Sequence, residues 1–533
     1  MAATYADVVA TTLSEAGIEY IFGVPGSLSS VELIEAAAKQ GIRYVLCSNE
    51  SSAAVMAGTY GILTNRPGVV STGVGPGAVA AIHGVAHCFL ERAPCLVLTD
   101  RYADADFRRL SRQRLDQDEL FRPVTKATFK LATDQAATIM RRAIDLALDG
   151  RPGPVHVDLP YDVMLTEAPP AAFPARRDRE RYLARLGSDS AGIEAAARAI
   201  ERARRPLVIV GLQVNRAGAT AEDAFVAFAE KLGAPVFASL AAKGTLPEQH
   251  PLAVGTFRGV PSERSLIDQA DLLVVVGFDP VEIFAPGGWP YSQPVVLIDA
   301  VSHREGVIEP AVEVVADLSE GLGRLGGAVS PRAWNREDLD AYRKERRGSL
   351  ERTGSGLLPG AVIRIARSRL PDDGFLTVDA GQHKVLASDL WESRRRRGFL
   401  SSSGLGTMAV ALPAAIATKL VEPAAPVLCL TGDGGFLMRI GDLETAKREG
   451  LALVVVIFND GWLNLIKLQQ DRRGLRRLAS QFGAADYAAV ARGLGFAATT
   501  VDSEAALDAA LATAFAAGEP WLIDARINPD GYV

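Results

Sequence analysis

One recurring unit constrains this chain more than any other feature. An apolar, β-branched run of strand length is followed by a turn rich in glycine or acid, and then by an alanine-rich amphipathic helix. Val69–Thr72, Cys95–Leu98, Val155–Leu159, Leu207–Val210, Leu272–Val276, Val427–Thr431 and Leu453–Phe458 are such runs, and residues 135–148 are one of the intervening helices. A strand that is apolar without alternation is covered on both faces, so the pattern predicts parallel sheets with crossover helices. Two polar stretches interrupt it. Residues 166–191 carry Pro169, Pro170, Pro174 and a run of arginines; residues 330–356 carry Arg343, Lys344, Arg346 and Arg347. Read as linkers with some helix, they divide the chain into three α/β domains, each a mostly parallel sheet flanked by helices, over residues 1–165, 192–328 and 357–533. A single core for 533 residues would be unusually large, which favours the same division.

Composition narrows the class of partner. With 57 basic and 63 acidic residues the formal charge is −6, which supplies no electrostatic reason to expect nucleic acid or an anionic membrane surface. No apolar run approaches the roughly 18 residues of a membrane span. The first residues lack a basic region followed by an apolar one, so no secretory signal is expected. Cys47, Cys88, Cys95 and Cys429 lie in apolar segments without metal-ligand spacing, as buried thiols of a cytoplasmic protein would.

The chemistry-bearing segments follow strands. In the central block, the runs before Gly211 and Gly277 end in glycine, which suits close backbone approach, but no G-x-G-x-x-G is present. In the last block, Val427–Thr431 runs into Gly432-Asp433-Gly434-Gly435, and Leu453–Phe458 runs into Asn459-Asp460-Gly461. If these strands are parallel neighbours, Asp433 and the Asn459-Asp460 pair reach the same carboxyl edge. Exposed N–H groups there suit phosphate, and hard oxygen ligands suit Mg²⁺; ordinary turn chemistry is the alternative. His83 and His87, at i,i+4 with Glu91 a turn further on, read better as helix packing than as a zinc site.

This pair of segments resembles the diphosphate-and-magnesium motif of thiamine diphosphate enzymes, a Gly-Asp-Gly separated from Asn-Asn by a gap like that from Gly435 to Phe458, with Asp460 standing for the second Asn. Other segments resemble the same family in order: Phe22-Gly-Val-Pro-Gly26, Ser48-Asn49-Glu50, Gly73-Val-Gly-Pro-Gly77, Pro123–Lys126, Gly150–Val155, Gly381-Gln382-His383 and Gly404–Met408. The likeness covers nearly the whole chain and is nearest the acetolactate synthase, benzoylformate decarboxylase and pyruvate oxidase group.

The resemblance implies roles. Glu50 would hydrogen-bond the aminopyrimidine ring and so move protons; a desolvated carboxyl suits that task. From the residues alone, it is equally a first-turn Glu in a helix capped by Ser48 or Asn49. Pro25, Gly381, Gln382, His383, Gly406, Met408, Gly432, Asp433, Gly434, Gly435, Asn459 and Asp460 would contact thiamine diphosphate. Asp433, Asp460 and the backbone carbonyl of Trp462 would hold Mg²⁺. Ser27 and Gln113 would face substrate, although Ser27 could also cap the following helix. The implied activity is decarboxylation of a 2-oxo acid with carboligation to a second carbonyl compound. Simple non-oxidative decarboxylation is the alternative, and a non-catalytic cofactor-binding homologue a more distant one. A homodimer or homotetramer is implied, with Glu50 of one subunit reaching cofactor held by another. FAD is not expected, because the segment after Gly277 lacks the Asp-Asp-Arg pattern of acetolactate synthases.

Overall fold

The computed structural model describes residues 2–174, 189–284, 287–303, 305–332 and 334–532. Three six-stranded sheets, parallel throughout, are flanked by helices. The first contains β1 (Tyr20–Val24), β2 (Arg43–Leu46), β3 (Gly68–Thr72), β4 (Cys95–Arg101), β5 (Thr128–Lys130) and β6 (Pro154–Pro160), in the order β2-β1-β3-β4-β6-β5. The second contains β7 (Pro206–Val210), β8 (Val236–Ser239), β9 (Ala253–Phe257), β10 (Leu272–Val276), β11 (Val295–Asp299) and β12 (Val312–Val315), ordered β12-β11-β10-β7-β8-β9. The third contains β13 (Phe375–Val378), β14 (Phe399–Ser401), β15 (Val427–Gly432), β16 (Val454–Asn459), β17 (Ala497–Val501) and β18 (Trp521–Arg526), ordered β14-β13-β15-β16-β18-β17.

The strands form where the sequence places its uninterrupted apolar runs. Val70, Val97, Val208, Val274, Leu428 and Val455 are fully buried at strand centres, as expected for sheets covered on both faces. The outer sheets share one strand order, so the first and last domains are the same winding scheme used twice. Each has a point where successive connections leave in opposite directions: between β1 and β3 in the first sheet, β7 and β10 in the second, β13 and β15 in the third. Diverging connections leave a crevice beyond the strands' carboxyl ends, and ligands bind open α/β sheets there.

The stretch 175–188, which holds the arginine run of the first expected linker, lies outside the described residues. The second linker carries a helix, Arg336–Ser349, whose Leu339 and Tyr342 are buried in the central domain's core. Residues 439–451, though late in the chain, pack in the same compact unit as the first domain. All four cysteines are buried and unpaired. No helix among the described residues is long and apolar enough to cross a membrane.

Candidate active site

In the first domain, the loop Gly73-Val-Gly-Pro-Gly77 leaves β3 at the switch point and organises three segments. A Cβ on Gly73 would lie 3.0 Å from the Gly26 Cα, one on Gly75 2.9 Å from the Gln113 carbonyl oxygen, and one on Gly77 3.3 Å from Glu50 Oε1. Each glycine therefore makes room for one of the segments expected to meet cofactor or substrate. Gly75 and Gln113 both have positive φ, 67° and 56°, a conformation glycine adopts freely and Gln only under constraint. The Tyr102 hydroxyl donates to Gln113 Oε1 at 3.3 Å. Glu50 is the first residue of the helix Glu50–Thr64, half-buried, and Asn49 rather than Ser48 is its cap, accepting from Ser51 N at 2.8 Å. Ser27 is exposed and caps nothing: the next helix begins at Ser29, with Leu28 at the capping position. Pro25 is exposed beside it.

Two residues that the sequence did not single out hold this loop cluster. Asp100, at the end of β4, accepts from Ser30 Oγ at 2.7 Å and Leu28 N at 3.3 Å, and its carboxylate lies against Gly26. Burial pushes its pKa up to about 6. Gln117 accepts from Gly75 N at 3.4 Å and donates to Thr99 Oγ1 at 3.0 Å and to the Asp158 carboxylate, tying the glycine loop to two strand ends. Neither sits in a recognisable motif; only the fold brings their partners near.

In the last domain, the third sheet's switch point gathers the diphosphate candidates. Gly381-Gln382-His383 leaves β13 and opens the helix Gln382–Leu390, while Gly432 to Gly435 leaves β15 and opens Asp433–Leu437. His383 stacks on Phe458, and its ring lies 3.3 Å from where a Gly432 Cβ would be. A Cβ on Gly434 would lie 3.2 Å from the Met408 Cε, so the Met408 loop and the Gly-Asp-Gly turn are in contact. Gly406 lies on the same loop at φ 63°, and Ala409 is held at φ 68°. The clamp is Asp379, another residue unmarked in sequence. It accepts from Val410 N at 2.7 Å, Ala411 N at 2.8 Å and Thr431 Oγ1 at 2.8 Å, and its Oδ2 lies where a Gly435 Cβ would be.

Asp433 and Asp460 come together at this edge. Asp433 accepts from Gly434 N and Gly461 N, each at 2.7 Å; Asp460 accepts from Trp462 N at 2.8 Å and Asn464 Nδ2 at 2.9 Å. Burial raises Asp433 to about 6. Burial and the Asp433 charge raise Asp460 to about 7. Two carboxylates that resist joint ionisation without a cation suit a divalent ion. Asn459 is drawn elsewhere, donating to Asp524 at 2.8 Å, which leaves Asp460 as the side chain beside Asp433. Trp462 is fixed by pairing of its segment with Gln481.

The residues fit a diphosphate. His383 is 4 % exposed, yet its Nε2 has no partner, and burial with the nearby Lys384 charge depresses its pKa to about 3. A buried ring nitrogen without a partner, on a histidine packed against a glycine turn, leaves a polar group of the site open to a ligand.

The remaining histidine pair and the arginines 394–397 are taken up by partners within the protein. His83 faces Ser51 and Arg439, whereas His87 pairs with Glu91 at 3.9 Å, so the helix offers no convergent zinc ligands. Arg394, Arg396 and Arg397 pair with Asp372, Asp223 and Glu222, and Arg395 stacks on Phe375.

Comparison with known proteins gives the family. Residues 3–120 match the N-terminal TPP binding domain of thiamine pyrophosphate enzymes, residues 193–325 the central domain, and residues 379–525 the C-terminal TPP binding domain. The chain is 30% identical to the catabolic acetolactate synthase of Raoultella terrigena, over 98% of this chain and 96% of that one. It is 29% identical to the acetolactate synthase isozyme 1 large subunit of Escherichia coli, covering 99% and 94%. It is 28% identical to a probable acetolactate synthase large subunit of Methanocaldococcus jannaschii, covering 98% and 92%. The chain thus belongs to the thiamine pyrophosphate enzyme family.

Proposed function

We propose that this protein decarboxylates a 2-oxo acid and joins the remaining fragment to a second carbonyl compound, using thiamine diphosphate and Mg²⁺ in the manner of an acetolactate synthase. When bound, the cofactor supplies an electron sink for the pair released as CO₂ leaves. The protein's residues do the rest. His383 and the Gly432–Gly435 turn would hold the diphosphate; Asp433, Asp460 and the Trp462 carbonyl would hold the metal. Met408, on the loop that Asp379 braces, would contact the cofactor. Glu50 keeps a proton in exchange with the aminopyrimidine ring.

The observation that carries a catalytic reading is the Glu50 carboxylate against Gly77 at the first sheet's switch point. Binding a diphosphate alone requires no such carboxyl. Carboligation is preferred because the compared relatives are acetolactate synthases and because Gln113 stands over Gly75, where that group places an active-site glutamine. The active unit is a homodimer or a pair of such dimers, with Glu50 of one subunit serving the cofactor held by another.

The central domain holds no flavin in this reading. Glu282 supports it: its carboxylate already accepts from Leu212 N and Asp279 N, each at 3.0 Å, and from the Ser239 hydroxyl at the β7–β10 crevice.

The test is to supply thiamine diphosphate and Mg²⁺ with pairs of 2-oxo acid donors and carbonyl acceptors, following CO₂ and product mass. A ligated product is expected. Aldehyde alone would establish simple decarboxylation, and no CO₂ from any donor would leave a non-catalytic homologue.

A further inference from the structure

Glu50 opens its helix, the position where a helix frays most readily, because the first N–H groups have no partner within it. A group that exchanges protons with a bound ring must nevertheless be held to a fraction of an ångström. The first domain alone provides one cap, Asn49 Oδ1 on Ser51 N. The remaining restraint comes from the segment 439–451. Arg439 donates through Nη1 to Asn49 Oδ1 at 3.2 Å and through Nη2 to Ser51 Oγ at 2.8 Å. Its Nη2 also lies 3.3 Å from His83 Nδ1, itself 2.8 Å from Ser51 Oγ. Asp442 accepts from Ser48 Oγ on one carboxylate oxygen and from Ser52 Oγ on the other, the latter at 2.7 Å. Asp442 is completely buried.

Of the five residues from Ser48 to Ser52, four are thus gripped by two side chains of residues 439–442, and Glu50 is the one whose carboxylate lies instead against Gly77. Further along, Arg43 pairs with Glu449, and Arg448 donates to the Leu46 carbonyl, so the same segment also grips the approach to the helix. The serines at 48, 51 and 52 are small polar residues whose hydroxyls otherwise compete with the helix backbone; here they are spent on this grip. Because Arg439 follows Asp433 by only a few residues, the connection that carries the diphosphate turn also carries the clasp.

We infer that Arg439 and Asp442 are positioning residues for Glu50, a planar fork and a two-oxygen acceptor that together immobilise the first turn of its helix; the inference rests on Glu50 acting on the cofactor ring. Arg is suited to the task because its rigid fork satisfies Asn49 and Ser51 together, which a lysine point charge cannot.

The test compares Arg439→Met, Arg439→Lys, Ser51→Ala and Glu50→Gln with wild type by three readouts. Amide hydrogen exchange of the peptide spanning residues 46–56, in protein without cofactor, reports the local grip. The dissociation constant of thiamine diphosphate with Mg²⁺ reports the other half-site. Exchange of the bound cofactor's thiazolium C2 proton with solvent deuterium reports Glu50. In Arg439→Met the peptide is expected to exchange faster, cofactor affinity to stay within about twofold, and C2 exchange to slow by about tenfold. Arg439→Lys should fall between, and Ser51→Ala should show a smaller effect of the same kind if Arg439→Met does not fold. Wild-type C2 exchange in Arg439→Met, beside slow exchange in Glu50→Gln, would overturn the clasp alone. Wild-type exchange in Glu50→Gln would overturn the role of Glu50 itself. Parallel loss of affinity, thermal midpoint and exchange in Arg439→Met would reduce the clasp to a structural contact and overturn the positioning role.

Discussion

The second and third sheets each bring a glycine turn to a switch point, yet they finish that crevice in different ways. At β13–β15 a buried ring nitrogen, His383 Nε2, is left without a partner, and two carboxyl groups, Asp433 and Asp460, share the edge with both pKa values raised. At β7–β10 a single carboxyl group, Glu282, takes up the turn. A Cβ on Gly211 would lie 2.6 Å from Glu282 Oε2, and that same oxygen takes the Leu212 and Asp279 N–H groups. Nearby, Asp299 is satisfied by His303 at 2.7 Å. A glycine turn after a buried strand is therefore only an opportunity for anion binding. Whether a ligand or the protein's own carboxyl group fills it depends on what the fold places beside it.

That contrast can be broken most severely at Asp433. Asp433→Asn removes a buried carboxylate beside Asp460 and is expected to weaken thiamine diphosphate binding at fixed Mg²⁺ by roughly 100-fold, read by calorimetric titration. Asp460→Asn keeps an oxygen ligand and should cost less, about tenfold. Binding to Asp460→Ala indistinguishable from wild type, at several Mg²⁺ concentrations, would remove Asp460 from the metal site.

His383→Ala sharpens the comparison next. It deletes the unsatisfied nitrogen and should weaken cofactor binding by about tenfold, the worth of one hydrogen bond to a charged group, with little loss of thermal stability. If stability falls while affinity holds, the histidine belongs to the core and not to the ligand.

The smallest effect is expected at the filled crevice. Glu282 has its pKa raised from 4.5 to about 8 by burial. The native state therefore keeps a proton that the unfolded chain releases, and stability falls as pH rises from 4.5 towards 8. Glu282→Gln stays neutral throughout and should flatten that part of the profile of thermal midpoint against pH. An unchanged slope would mean that Glu282 is ionised in the fold and that its hydrogen bonds outweigh its burial.

Much of this was legible in the chain because it is written locally. Uninterrupted apolar runs gave away parallel strands, and glycine and aspartate directly after β15 and β16 marked the edge that carries Asp433 and Asp460. The contacts that stiffen the site are of another kind. Asp379 reaches Val410 and Thr431, Gln117 joins Gly75 to Asp158, and Arg439 grips Asn49 from almost 400 positions away. Each is an ordinary polar residue whose partners are chosen by strand order, and a single sequence carries no signal of strand order at that range. The helix start at Glu50 shows the boundary: the cap was readable to within Ser48 or Asn49, but the grip on both sides of it was not.

Calorimetric titration of the wild-type protein, with thiamine diphosphate and separately with FAD, each with and without Mg²⁺, tests the contrast between the two crevices most directly. Saturable binding of thiamine diphosphate, one per chain, is expected to collapse when the metal is chelated, with no stoichiometric binding of FAD. Tight FAD binding, or thiamine diphosphate binding indifferent to Mg²⁺, would contradict the contrast.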